Sequence, residues 1–309
     1  MKKLIVILLS IALSIMSLSA QDNGGDKVAV NLTNPGKPVS LSASLLNGSI
    51  RVTGYDGREV IVESLPRGKM LADMDEGDEE KAEFLKLEKG GAIGYLEAGD
   101  GHLFLQSNDK KKDRSGMKRI GGGLGSGLTV TEKDNEVEVK VQSVWASIDL
   151  DIKVPFNTSL KLKTVNGGRI LVNGVNGVHE IQHVNGDINL QGISGSVLAN
   201  TTNGDVTVGF KQVDPKAEMS FSSFNGDVDI TFPAGLKADI VYSTERGEVY
   251  SDFDVSSRQT TEQKVQDKRS TGGRFEVHFE KSVHGTINGG GQKISFKTFN
   301  GDILIRKNK

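Results

Sequence analysis

The chain has 309 residues, no Cys, 38 Gly, only 6 Pro and a formal charge of −2. Without Cys there is no disulfide framework, thiolate nucleophile or Cys-based metal site, and without net positive charge or a long basic stripe there is no general nucleic-acid or anionic-membrane binder. Abundant Gly with scarce Pro indicates many tight turns in an ordered chain, where disorder would raise both.

Lys2 and Lys3, the apolar run Leu4 to Met16 and the small-residue stretch Ser17 to Ala20 predict a secretory signal peptide over 1–20, cleaved before Gln21. The run is interrupted by Ser10 and Ser14 and is shorter than the ~20 residues a membrane span needs. No Cys follows the cleavage point, which excludes a lipidated N-terminus, and no membrane span is expected after cleavage. Residues 21–38 are expected to be a linker, and 39–309 a single β-repeat domain.

Leu45-Leu46-Asn47-Gly48-Ser49-Ile50 has the look of an opening repeat unit, followed by an alternating strand at Glu59–Glu63. From 66 to 127 the pattern dissolves into charges and glycines, so this stretch is expected to be an irregular insertion with a few short strands and a short helix near Glu79–Lys89. Its basic run, Lys110, Lys111, Lys112 and Arg114, alternates with Asp109 and Asp113, the mark of a solvated loop. Core repeats are expected over 128–250, with strand signals resuming at Leu128, Val137 and Ile148.

Within that region one phrase recurs: Asn166-Gly167, Asn185-Gly186, Asn203-Gly204 and Asn225-Gly226, with a last copy at Asn300-Gly301. Asp187, Asp205, Asp227 and Asp302 follow four of these pairs, and each opens an alternating β-branched run such as Ile188-Asn189-Leu190. Arg246-Gly247-Glu248 and Asn288-Gly289 are variants. A period of about twenty residues belongs to repeat architecture, in which a short strand pair buries its apolar face only by stacking on the next unit. The Asn-Gly pairs are assigned as structural turns, both residues tolerating φ > 0. The expected fold is all-β, a β-solenoid in which Ile188, Val206 and Val228 stack in columns. The alternative is an antiparallel meander or sandwich with each Asn-Gly closing a type I′ hairpin. Residues 254–274 are polar and expected to be a loop or hairpin tip, and 275–309 to hold the terminal strands.

With these residues in view, the chain resembles the bacterial putative-adhesin family of β-strand-repeat domains. The resemblance rests on Ile148 to Pro155, Ser159 to Gly167 and the serial Asn-Gly-Asp units. It implies an exported envelope protein, periplasmic, cell-surface or secreted, that adheres or scaffolds without enzymatic activity or cofactor and binds a protein or glycan partner. An envelope-sensing or regulatory domain is the alternative, and a polysaccharide-acting β-helix enzyme is a third reading. Three features could carry chemistry. His179 and His183 lie about 13 Å apart on one strand, too far to share an ion, and their register is ambiguous. Trp145 fits the core better than a sugar platform. Asp187, Asp205 and Asp227 would stack near the ~4.8 Å strand spacing, where calcium could bridge them, although Asp after Asn-Gly is also ordinary turn chemistry.

Overall fold

The computed structural model describes residues 26–66, 127–141, 147–267 and 275–308. The signal peptide, the short helix near Glu79–Lys89, the basic run at Lys110 and Trp145 lie outside these residues.

The described chain is all β, with 20 strands wound into a flattened solenoid of two faces. On the first face β2 (Val39–Asn47), β6 (Glu136–Val141), β8 (Thr158–Asn166), β10 (Asn176–Gln182), the second half of β11 (Ile188–Asn200), β13 (Met219–Ser222), β15 (Ala238–Ser243) and β19 (Gln292–Lys297) run parallel. On the second face β3 (Ile50–Tyr55), β7 (Ile148–Pro155), β9 (Ile170–Asn173), the first half of β11, β12 (Val206–Val213), β14 (Val228–Phe232), β16 (Val249–Ser251) and β20 (Ile303–Lys307) do the same. Each Asn-Gly phrase is the corner between a first-face strand and the second-face strand that follows it.

Register makes the core. Ile50, Ile170, Ile188, Val206, Val228 and Ile303 pair in succession and are all fully buried. One strand turns only two or three such side chains inward, each stabilising by roughly 1.5–3 kcal/mol when buried, so a rung depends on its neighbours to exclude water. Toward the later rungs the interior widens to hold Phe210 stacked on Phe232 (5.2 Å) and Phe221 stacked on Phe296 (5.6 Å).

The rungs do not follow chain order. The β2–β3 rung lies inside β6–β7, and the β19–β20 rung lies between β13–β14 and β15–β16. The break in period after Arg246 has this cause: Asn300 stacks on Asn225, and Arg246 stacks on Asn300 from outside.

Antiparallel pairing, expected everywhere in a meander, is confined to the two ends. At one end β5 (Leu128–Lys133) covers β6, β4 (Glu59–Pro66) covers β7 and β1 (Lys27–Asn31) covers β4. The 21–38 linker therefore contains a paired strand. At the other end β17 (Val255–Asp267) and β18 (Phe275–Ile287) form a long hairpin whose base lies on β15. The 254–274 segment is thus mostly strand, its alternating polar residues stabilised by pairing with β18, and only 268–274 fall outside the described residues.

His179 takes the inward position in the column of Leu160 and Val197, fully buried, and neither ring nitrogen has a hydrogen-bond partner. Burial holds its pKa down at about 4 from an ordinary 6.5; the Val175 carbonyl, not placed for a hydrogen bond, opposes this weakly. The proton therefore binds the unfolded chain first. His179 contributes full stability above pH 6.5, and that contribution declines as the pH falls toward 4. Chemical denaturation of the wild type and H179L from pH 7 to pH 4 is expected to show the variant gaining on the order of 2 kcal/mol relative to wild type across that window. Parallel pH profiles would refute this assignment.

Candidate functional site

The Asn-Gly pairs and the Asp column singled out in the sequence lie at the corner of the solenoid, and there the Thr, Asn, Gly and Asp of the phrase Thr-x-Asn-Gly-Asp have separate tasks. The Asn side chains form a ladder: Asn185 Nδ2 donates to Asn166 Oδ1 (3.3 Å), Asn203 to Asn185 (2.8 Å), Asn225 to Asn203 (2.7 Å) and Asn300 to Asn225 (2.6 Å). Their backbones also bridge rung to rung in parallel. The Asn residues of these pairs do not adopt φ > 0; only the glycines do, so the expected type I′ turn does not form. Gly204, at φ +141°, shows why: a Cβ there would lie 2.3 Å from the Gly186 carbonyl oxygen of the rung beneath. Gly186, Gly226 and Gly301 repeat this close approach.

The Asp residues stack as expected, with a different partner. Asp187 Oδ1 accepts the backbone N–H of Asp205 (3.1 Å), Asp205 that of Asp227 (2.8 Å), and Asp227 that of Asp302 (2.7 Å). Asp302 accepts the N–H of Glu248 (2.8 Å), and at the opposite end buried Asp149 accepts that of Ser49 (2.8 Å). Each carboxylate thus caps the next rung. Among the described residues no group of three or more His, Asp or Glu is placed to hold a metal ion, so a calcium column of Asp187, Asp205 and Asp227 has no cage here.

The first position of the phrase was not singled out in the sequence. Thr164, Thr201, Ser223 and Thr298 are buried, and each hydroxyl donates to a Gly carbonyl of the neighbouring rung, at 3.2, 3.0, 2.8 and 2.9 Å for Gly48, Gly186, Gly204 and Gly226. His183 stands at the same position, its Nε2 3.3 Å from the Gly168 carbonyl oxygen and its Nδ1 accepting the Val184 N–H. The signal was available: a hydroxyl or imidazole two residues before each of Asn166, Asn185, Asn203, Asn225 and Asn300.

The last rung stops the Asn and Asp ladders, while Thr244 still donates to the Gly301 carbonyl (3.0 Å). Arg246 replaces Asn, Glu248 replaces Asp, and the Glu248 carboxylate accepts the Tyr250 hydroxyl. Beyond it Phe253 is buried, with the Lys307 ammonium 5.0 Å from its ring.

Outside the ladders, the x position of the phrase forms a stripe facing solvent: Leu46, Val165, Val184, Thr202, Phe224 and Phe299. Phe224 and Phe299 stack at 4.9 Å with rings 5° apart, and Phe224 is 50 % exposed. Beside the stripe, on the first face, Glu180, Gln182, Asn200, Ser220 and Ser222 edge a shallow depression of about 150 Å³.

A capped, two-faced β-solenoid held by corner ladders is the class these features define. The chain belongs to the Toastrack DUF4097 family, which matches residues 100–288 and bears out the resemblance drawn from the Asn-Gly-Asp units. Two solved structures are similar to it. One is a putative cell adhesion protein from Clostridium sporogenes ATCC 15579, 10 % identical with TM-score 0.38, the match covering 92 % of this chain and 100 % of that one. The other is a putative adhesin from Bacteroides fragilis NCTC 9343, 11 % identical with TM-score 0.33, covering 92 % and 97 %. No curated protein matches the sequence.

Burial raises the pKa of Asp205 most; the N–H of Asp227 opposes this, and the charges of Asp187 and Asp227 add to it. Because the folded value lies above the unfolded 3.8, the ionised carboxylate burdens the fold at neutral pH, and the burden lifts as the pH falls through that raised value. D205N keeps an oxygen acceptor without the charge, whereas D205A leaves the Asp227 N–H unmatched. In thermal melts at pH 7 the Asn variant is expected to equal or exceed wild type and the Ala variant to lose about 1 kcal/mol. Equal losses in both would show that the charge itself holds the rungs.

Proposed function

We propose that the chain is an exported, non-enzymatic, adhesin-like scaffold of the bacterial envelope that binds a protein or glycan partner through the outside of its solenoid. The observation that carries this reading is the contrast between two sets of side chains at the corner. The buried Thr hydroxyls and the exposed Asn and Asp side chains are all engaged in joining rungs. Outward, Leu46, Phe224 and Phe299 remain exposed in line on a rigid frame. Exposed apolar groups aligned on a rigid surface mark interaction sites, and a fixed frame lowers the entropy lost on binding. Among the described residues no helix is long and apolar enough to cross a membrane. The predicted signal peptide supports the export part of the proposal.

Fractionation of the producing cell with N-terminal sequencing tests it. The expected result is protein in the envelope or the medium, beginning at Gln21, that binds intact cells or envelope extract. Protein confined to the cytoplasm with its first twenty residues intact would contradict the reading.

A further inference from the structure

The cap at the β15 end has an open side of its own. β18 lies on β15 only from Val283 to Ile287, opposite Tyr242 to Ala238. β17 and β18 stay paired beyond that stretch, from Thr260 opposite Ser282 to Asp267 opposite Phe275. Eight residue pairs therefore run past the last β15 pair as a two-stranded arm, about 26 Å long at ~3.3 Å per residue. Among the described residues β17 pairs with β18 alone, so the outer edge of this 13-residue strand offers its backbone N–H and C=O groups to no other strand.

A ribbon of two strands is marginal in water, whereas three or more strands sharing an apolar side are stable. The arm has the apolar side. Its unbroken register places Val265, Phe275, Val277 and Phe279 on the side of the ribbon shared by Val255 and Ile287, and Ile287 is fully buried in the core. Glu262, Lys264, Gln266, Glu276, His278 and Glu280 take the other side. What the arm lacks is further strands.

The edge fits a second copy of itself. Two copies of one edge strand pair antiparallel about a twofold axis normal to the sheet. Residues directly opposite then lie on the same side, and because sides alternate along a strand, the axis passes through a residue and never between two. Glu262, Gln263 and Lys264 occupy the middle of the arm. An axis through Glu262 or through Lys264 sets that charge against its own copy, and like charges directly opposite are unfavourable. An axis through Gln263 sets Glu262 opposite the partner's Lys264 and Lys264 opposite the partner's Glu262, and it aligns Gln259 to Asp267 along the whole arm. We propose that the chain forms a twofold dimer in which the β17 edges pair antiparallel about Gln263, joining two arms into one four-stranded sheet with a common apolar side. A bare parallel edge at the end of the solenoid would add copies without limit, whereas this antiparallel edge pairs once and closes. The dimer does not depend on the adhesin-like reading.

Sedimentation of the full protein over a concentration series tests this, with the variants Glu262→Lys and Lys264→Glu, the double variant carrying both changes, and an equimolar mixture of the two single variants. Each single reversal sets like charges opposite one another twice about the axis. The double variant and the mixture restore opposite charges at both places. Wild type is expected to associate to a dimer, each single variant to dimerise roughly tenfold or more weakly, and the double variant and the mixture to regain wild-type association. Thermal melts at dilutions where wild type is monomeric are expected to coincide for all four proteins, which separates loss of the dimer from loss of the fold. A wild type that stays monomeric throughout, single reversals that leave the dimer as strong as before, or a mixture that associates no better than its components would overturn the proposal.

Discussion

Parallel strands in register, one rung above another, are the constraint on which everything else in this protein rests. A rung turns only a few aliphatic side chains inward and leaves both backbone edges unpaired, so it cannot persist alone. Once rungs stack, every residue type recurs beneath itself, and a small set of side-chain tasks repeats at each corner. The Asn amide bonds the amide below, the Asp oxygen accepts the N–H above, and the hydroxyl two residues before Asn closes on the Gly carbonyl. Gly is obligatory because the neighbouring carbonyl occupies the space of a Cβ. Sequence repetition is therefore a demand of the geometry, and identical residues are selected by their own copies.

The same geometry creates a problem at the ends, where a parallel edge would invite further chains. Two devices answer it. Antiparallel strands cover β6, β7 and β15, and the rung of β15 and β16 breaks the Asn and Asp ladders by substitution, Arg for Asn and Glu for Asp. Tucking the first and last copies one rung inside the ends leaves atypical sequences outermost, as repeat proteins require of their caps.

Much of this was legible in the sequence. Alternation after each Asn-Gly-Asp predicted the columns of Ile188, Val206 and Val228, and the recurring period predicted stacking. The spacing of the Asp column followed from strand separation, but its partner did not: a backbone N–H on another rung has no signature in composition. The inward register of His179 could not be decided because Val178 and Val184 pull the alternation the opposite way, and a buried imidazole is settled only by which strands flank it. The polar residues of β17 read as loop since long-range pairing with β18 overrides a weak local preference. Rung order escaped altogether, because strands distant in the chain carry nothing that says which of them are neighbours. The corner stripe was visible residue by residue, yet the alignment of Val184, Thr202 and Phe224 emerges only once the order of the rungs is known.

Two sets of side chains at one corner thus divide the work, with the ladders joining the rungs and variable x positions free to change. A surface that can vary without disturbing its support suits a binding scaffold. The dependence of each rung on the next is tested most directly by native-state hydrogen exchange of the corner amides. The amides of Asp205, Asp227 and Asp302, each held by the carboxylate of an adjoining rung, are predicted to exchange together and only through global unfolding. Exchange of one of them through a shallow opening of its own rung, with the others still protected, would contradict the account.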